Sequence, residues 1–185
     1  MNITVYCGSK MGNDEIYRQT AEIVGKWIVE KDHTLVYGGG STGLMRVLAE
    51  TVLNGGGKVI GVRPDFLSKR EPMLEGLTEF IKVETMSERK KVMIDNGDVY
   101  IALPGGLGTM EEISEVVSWS TIGKNDNPCI FYNVRGFYND VKNQYDTMEK
   151  LGFLSDEYKE NVLFSDSMDE IITFIKNRKG QKTDL

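Results

Sequence analysis

The residues best suited to chemistry lie in one glycine-rich stretch, Leu103 to Glu112, which reads LPGGLGTMEE. It follows an apolar run at 98–103 whose Val, Ile and Tyr content is typical of a buried strand. It precedes residues 113–119, whose apolar positions recur at the spacing of one helix face. Glycines at such a junction permit a tight turn and let backbone N–H groups approach a ligand closely. Because the following helix presents free N–H groups and a partial positive charge to that turn, we predict an anion site, for a phosphate group.

Three polar residues follow or interrupt these glycines. Thr109 could cap the helix or donate its hydroxyl to the anion. Glu111 and Glu112 could simply complement the helix dipole, as acids in a first helical turn commonly do. Alternatively, a phosphate ester held by the turn would bring its sugar within reach of Glu112, and the carboxylate would then act on the bound molecule. The stretch alone leaves both interpretations open.

Composition restricts the classes of protein that this chain could represent. With 185 residues, 40% of them hydrophobic, we expect one globular domain at 1–178 and a polar tail at 179–185. The net charge of −6 argues against a general nucleic-acid binder but permits a local basic pocket. Because no signal peptide and no apolar run of membrane-spanning length is present, we predict a cytoplasmic protein that does not bind membranes.

The cysteines and the histidine give no indication of a metal site. Cys7 and Cys129 lie in or at the end of apolar, strand-like runs and lack the spacing of metal ligands. His33 is the single histidine and leads into a predicted strand. We therefore expect buried thiols, no metal and no cofactor.

Strand-like and helix-like segments alternate along the whole chain. Strands are predicted at 3–6, 34–37, 58–62, 79–83, 98–103, 128–132 and 162–164, and helices at 16–30, 44–53, 86–95, 113–119, 136–150 and 168–177. This alternation predicts a single-domain α/β fold, a doubly wound, Rossmann-like parallel sheet with helices on both faces. Ligands of such sheets lie beyond the carboxyl ends of the strands. Four loops should meet there, at Gly8–Ser9, Gly38–Gly43, Arg63–Thr78 and Pro104–Thr109.

A second glycine stretch, Gly38 to Gly43, formally matches the dinucleotide pattern G-x-G-x-x-G. A dinucleotide site would also need an acid at the end of the next strand, but that strand ends at Val62 and Arg63, with Asp65 only in the loop beyond. The pattern therefore indicates a phosphate or close backbone contact in a mononucleotide site, or only a tight turn. Since no Gly-Lys-Ser/Thr follows either glycine stretch, ATP hydrolysis and kinase chemistry are disfavoured.

A basic cluster, Arg89 to Lys91, lies near the start of the helix predicted at 86–95. Such a run could be a solvated helix face. In an acidic chain, at a strand-to-helix junction, it could equally contact phosphate or ribose, and Arg is suited to bidentate recognition of oxygen atoms.

Three stretches in combination, Tyr37–Met45, Met86–Lys90 and Pro104–Glu112, resemble the Lonely Guy family over roughly residues 2–155. Members are cytokinin riboside 5′-monophosphate phosphoribohydrolases, many long mislabelled as lysine decarboxylases. The resemblance implies a homodimer or higher oligomer, with the pocket near a subunit interface, and a catalytic pair formed by Arg89 and Glu112. Together with the loops expected at the same crevice, it gives a predicted set of substrate contacts: Ser9, Gly38, Gly39, Gly40, Glu71, Met86, Arg89, Lys90, Gly105, Gly106, Leu107, Gly108, Thr109 and Glu111.

Three positions depart from the family pattern. Ser87 stands where His is frequent, Arg46 where Gly is frequent, and Thr121 where Gln is frequent. None replaces Arg89 or Glu112, so the departures bear on the substrate more than on the reaction.

We therefore predict hydrolysis of the N-glycosidic bond of a purine nucleoside 5′-monophosphate, N6-modified or not, to free base and ribose 5-phosphate. The alternative is a non-catalytic nucleotide sensor or cofactor carrier on the same fold. A pyridoxal phosphate decarboxylase is disfavoured because no residue is marked as its Schiff-base lysine.

Overall fold

Seven parallel strands form one sheet in the computed structural model, which describes residues 1–69 and 73–180. The strands are β1 (Asn2–Tyr6), β2 (Thr34–Tyr37), β3 (Lys58–Pro64), β4 (Glu79–Val83), β5 (Val99–Ala102), β6 (Cys129–Tyr132) and β7 (Val162–Ser165). The helices are α1 (Glu15–Glu30), α2 (Gly43–Asn54), α3 (Met86–Asp95), α4 (Leu107–Thr121), α5 (Asn139–Lys150) and α6 (Met168–Gly180). Short 3-10 helices cover Asp65–Lys69, Val134–Gly136 and Asp156–Glu160. The predicted fold is confirmed.

The order of the strands explains where a ligand can bind. The chain builds outward from β1 to β4, then returns to place β5 on the other side of β1, giving the order β4-β3-β2-β1-β5-β6-β7. The order reverses between β1 and β5, which pair directly, with Ile3 opposite Val99. At such a reversal the chain beyond the two carboxyl ends continues to opposite faces of the sheet, to α1 and to α4, and a crevice is left between them. The two loops there are the loop at Gly8 and Ser9 and the loop at Pro104 to Gly106.

An apolar core lies on each face of the sheet. One core packs Ile3 and Val99 of the sheet against α1, α2 and α6, and the other packs Tyr6 and Phe131 against α3, α4 and α5. Because helices cover both faces of the sheet, the central strands are nearly continuous apolar runs. The sequence therefore predicts their positions.

Three helix boundaries differ from the predicted ones by three residues or more. Helix α4 begins at Leu107 instead of residue 113, so Gly108 lies inside its first turn. Glycine lowers helix propensity by only about 1 kcal/mol, which packing of the buried Ile113 face offsets. Helix α5 begins at Asn139, because Arg135 and Gly136 have φ of 56° and 71°, outside the helical range.

The C-terminal helix α6 extends to Gly180, so two residues of the predicted polar tail are helical, and the rest of that tail lies outside the described residues. None of the helices in the described parts of the chain has the length and hydropathy needed to cross a bilayer.

Candidate active site

The first amino-terminal turn of α4 is open to a ligand. Gly106 is the N-cap residue and makes no side-chain capping bond. Within the described ranges, the backbone N–H groups of Leu107 and Gly108 donate to no acceptor. A Cβ added at Gly106 or at Gly108 would have no heavy atom within 4 Å, so empty space adjoins both residues. Free N–H groups and the positive end of the helix dipole together suit an anion such as phosphate.

The turn that precedes α4 is fixed by two hydrogen bonds. Gly8 N–H donates to the carbonyl oxygen of Pro104 at 3.1 Å. The hydroxyl of the buried Tyr138 donates to the carbonyl oxygen of Leu103 at 2.7 Å. These bonds tie the end of β5 to the β1 loop and to the start of α5, so they fix the position of the candidate anion site.

Gly105 and Thr109 pack directly against each other inside this turn. A Cβ at Gly105 would lie 2.2 Å from Thr109 Oγ1 and 3.0 Å from Gly8 N, which leaves no room for a side chain. Thr109 is buried and is the third residue of α4, so it is not the helix cap. Gly106 occupies the N-cap position instead, so of the two predicted roles of Thr109, capping is wrong.

Arg89 and Glu112 meet at the bottom of the crevice. Arg89 lies in the first turns of α3, which Thr85 caps by accepting from Glu88 N–H at 3.1 Å. Its Nη2 lies 3.2 Å from Glu112 Oε1, and the two side chains are only 11% and 8% exposed. Arg89 Nε also donates to the carbonyl oxygen of Val62 at 3.2 Å, which fixes the guanidinium over the end of β3. Both side chains line a cavity of about 300 Å³.

The environment of Glu112 suits a carboxylate that acts on a ligand. Burial raises the pKa of Glu112, and the positive charge of Arg89 opposes this rise. The negative charge of Glu111 raises the pKa further, and the positive charge of Lys90 lowers it. Among the described residues, no hydrogen bond reaches Oε1, although Arg89 is in ion-pair range. Because α4 begins at Leu107, Glu111 and Glu112 lie in its second turn, so they are not the first-turn acids that complement the dipole. A desolvated carboxylate of this kind can stabilise positive charge or accept a proton.

Lys90 forms a separate cluster beside this pair. Its Nζ lies 2.8 Å from Glu111 Oε1 and 2.8 Å from Glu115 Oε2, and hydrogen bonds to Glu111 and then Glu115 raise its pKa. Lys90 is not among the residues that line either cavity at the crevice. In this structure it joins α3 to α4.

Most of the predicted contact residues line the 300 Å³ cavity, namely Ser9, Gly38, Met86, Arg89, Gly106, Leu107, Gly108, Thr109 and Glu111, together with Glu112. Gly105 instead lines an adjoining cavity of about 360 Å³. Gly39 and Gly40 line neither; Gly39 packs on Arg63, and Gly40 forms an isolated antiparallel bridge with Met73. Glu71 lies outside the described residues.

The cavity also has lining residues absent from the predicted set: Cys7, Gly8, Met45, Arg63 and Leu67. Arg63 is 1% exposed, and its Nη2 donates to the carbonyl oxygen of Leu67 at 2.6 Å. A charged residue at the carboxyl end of a buried strand was the signal that could have identified it. Within the described ranges, no group of three or more His, Cys, Asp and Glu side chains is arranged to hold a metal ion.

The second glycine stretch serves internal packing. The N–H groups of Leu44 and Met45, at the start of α2, point to the carbonyl oxygen of Gly8 at 3.0 and 3.4 Å. Gly43 has φ +57°, and a Cβ there would lie 2.3 Å from the carbonyl carbon of Ser9. The start of α2 is therefore capped by the β1 loop. Of the two interpretations that the sequence left open, a ligand contact or only a tight turn, these contacts favour the tight turn.

Solved structures show the same fold at low sequence identity. A molybdenum cofactor carrier protein from Chlamydomonas reinhardtii superposes with a TM-score of 0.74 at 19% identity, covering 97% of this chain and 98% of its own. A molybdenum cofactor binding protein from Rippkaea orientalis gives 0.70 at 21% identity, covering 95% of each chain. At such identities the likeness extends to the fold alone.

Sequence relatives are much closer. A family model described as "Possible lysine decarboxylase" matches residues 45–175. A cytokinin riboside 5′-monophosphate phosphoribohydrolase of Arabidopsis thaliana is 40% identical over 170 residues, which are 92% of this chain and 80% of that protein. One from Rhodococcoides fascians is 37% identical over 177 residues, 95% of this chain and 89% of that protein. The chain therefore belongs to the Lonely Guy family, to which the possible lysine decarboxylase model also corresponds.

Proposed function

We propose that this protein hydrolyses the N-glycosidic bond of purine nucleoside 5′-monophosphates, N6-modified or not, to free base and ribose 5-phosphate. One observation carries the proposal: the buried Arg89–Glu112 pair, 3.2 Å apart, lies in the same cavity as the open first turn of α4. The names of the relatives support this reaction class.

The 5′-phosphate would be held by the N–H groups of Leu107 and Gly108 at the start of α4. Glu112 is five residues beyond Leu107 on the same helix, so the phosphate and the carboxylate are held in a fixed relation. Binding energy from the phosphate, remote from the reacting carbon, then places the sugar for reaction. Ser9 and Met86 line the rest of the cavity and would bound the sugar and the base.

Cleavage breaks the bond between the anomeric carbon and the base nitrogen, and the electron pair leaves with the base. Positive, oxocarbenium-like charge develops on the sugar, a water oxygen bonds to the anomeric carbon, and the proton that this water loses finally neutralises the departing base. Glu112 would either stabilise that charge or take the proton of the attacking water. Arg89 would orient the substrate or stabilise the negative charge that develops on the departing base. Glu111, which also lines the cavity, could hold ribose hydroxyls.

The rival function is a nucleotide sensor or cofactor carrier. Two of the structural neighbours are named as molybdenum cofactor proteins, but the similarity reaches only the fold. A carrier requires the phosphate anchor and has no need of a buried carboxylate opposite an arginine. The Arg89–Glu112 pair therefore favours the enzyme.

We also propose a cytoplasmic homodimer with the cavity near the subunit interface. Leu107, at the edge of the cavity, is 89% exposed, so its side chain is available for contact with a second subunit. Cys7 and Cys129 are buried free thiols, as expected in a reducing compartment.

The experiment is to incubate the protein with AMP, N6-isopentenyl-AMP and adenosine, and to separate the products by chromatography. We expect free base and ribose 5-phosphate from at least one monophosphate, and none from adenosine, which lacks the anchor group. Tight binding of intact nucleotides without base release would contradict the proposal and support the sensor or carrier.

A further inference from the structure

The Arg89 side chain crosses the end of a strand to reach its partner. Helix α3 follows β4 at one edge of the sheet, whereas Glu112 is on α4, which follows β5. In the strand order β4-β3-β2-β1-β5, the end of β2 lies between them. Arg89 is held on the way by the carbonyl oxygen of Val62 in β3. Gly38, the first residue after β2, lies beneath the guanidinium.

The space above Gly38 is already filled by Arg89. A Cβ at Gly38 would lie 1.9 Å from Arg89 Nη2 and 3.1 Å from Cζ. Nη2 is the atom that lies 3.2 Å from Glu112 Oε1. Since non-bonded carbon and nitrogen atoms need well over 3 Å, a methyl group would displace the guanidinium by more than about 1 Å.

Backbone conformation does not explain the glycine at this position. Gly39 and Gly43 have φ of +69° and +57°, which favour glycine, whereas Gly38 is outside that range. The backbone at position 38 would therefore accept alanine, and the remaining obstacle is Arg89. Met45 Sδ, at 3.5 Å from the added Cβ, would be an ordinary contact.

We propose that Gly38 is a positioning residue: its lack of a side chain leaves the volume that the Arg89 guanidinium occupies when it pairs with Glu112. Of the two measurements proposed below, only the kinetic one rests on the proposed function. The pairing can also be measured without catalysis, through the ionisation of Glu112.

The charges around Glu112 make that ionisation a suitable measurement. Arg89 opposes the rise in the Glu112 pKa that burial causes, so withdrawing the guanidinium should raise this pKa further. The other groups that act on Glu112 are Lys90 on α3 and Glu111 on α4. Tyr6 and Cys7, from β1 and its loop, face it as neutral groups, because burial raises the pKa of each. None of these four is changed by a substitution at position 38.

The test compares Gly38→Ala, Arg89→Lys and the double variant, with carboxyl NMR titration of Glu112 and steady-state kinetics on a monophosphate. In the Arg89 background, Gly38→Ala should raise the Glu112 pKa and lower kcat about 100-fold, with KM changed less than about threefold. A lysine ends near the position of Cζ and has no Nη2 atom. In the Arg89→Lys background, adding Gly38→Ala should therefore change kcat less than about twofold.

An unchanged Glu112 titration in Gly38→Ala, or the same loss of kcat in both backgrounds, would overturn the assignment. If the wild-type protein releases no base from any monophosphate, the proposed function fails, while the titration still decides the role of Gly38. If Gly38→Ala does not fold, recovery of folding in the double variant would support the clash with Arg89, and failure to recover would refute it.

Discussion

Replacing Glu112 with Gln removes the proposed catalytic charge while keeping the shape of the side chain. Two unit charges about 4 Å apart at an effective dielectric constant near 20 interact by roughly 4 kcal/mol, equivalent to about 10³ in rate. The charge that develops on the sugar is partial, so we expect kcat to fall about 10²- to 10³-fold. Binding of ribose 5-phosphate should be retained, because the proposed phosphate anchor at Leu107 and Gly108 is unchanged.

The pH dependence of the same variant gives a second, independent outcome. Burial raises the pKa of Glu112 above that of an ordinary glutamate. The proposed mechanism needs the ionised form. The wild-type rate should therefore fall on the acid side at a pH above the usual glutamate range, and this acid limb should disappear in Glu112→Gln. The assay is base release measured by chromatography across a pH series. A variant with kcat within about threefold of the wild type, or with the same acid limb, would refute the role assigned to Glu112.

Stability should follow the same ionisation with a defined sign. The folded protein retains the Glu112 proton to a higher pH than the unfolded chain does. The contribution of this group to the free energy of unfolding is therefore fully present below its ordinary pKa and is lost as pH rises through the raised pKa. Denaturant unfolding of the wild type and of Glu112→Gln at several pH values should show this slope only in the wild type.

Three further substitutions test the neighbourhood of the site. Gly105→Ala would place a methyl group 2.2 Å from Thr109 Oγ1. We therefore expect the affinity for ribose 5-phosphate, measured by calorimetry, to fall at least about tenfold. Retained affinity would contradict the packing described for this turn. Lys90→Ala should lower the free energy of unfolding in urea by about 1 kcal/mol, because the side chain joins two helices outside the cavity. The affinity for ribose 5-phosphate should change less than about twofold. A large loss of affinity would instead indicate a substrate contact. Tyr138→Phe removes the 2.7 Å hydrogen bond to the carbonyl oxygen of Leu103 and should lower the free energy of unfolding by about 1–2 kcal/mol. An unfolding midpoint equal to that of the wild type would show that the bond is not needed.

The sequence was informative where local chemistry determines structure. Buried parallel strands appear as apolar runs, and the glycines after β5 mark a strand-to-helix turn, so the fold and the crevice could be predicted. The combination of Arg89 with Glu112 came from resemblance to a family, and the structure brings the two side chains to 3.2 Å. No local pattern would have paired residues on different helices.

The features that were missed depend on contacts between distant parts of the chain. The start of α2 is capped by Gly8, a residue from another loop, so its glycine stretch looked like a phosphate loop when read alone. Arg63 lies at the end of an apolar strand, and its role in the cavity wall depends on the 3-10 helix that folds over it. The early start of α4 reflects packing of Ile113, which overrides the low helix propensity of Gly108.

A crystal structure of Glu112→Gln with bound AMP would test most directly whether the start of α4 holds the phosphate while position 112 faces the sugar. We expect the phosphate oxygens about 3 Å from the N–H groups of Leu107 and Gly108, and the anomeric carbon about 3–3.5 Å from the side chain at position 112. A phosphate bound elsewhere, or a sugar in the adjoining cavity beside Tyr17 and Phe137, away from position 112, would contradict this arrangement.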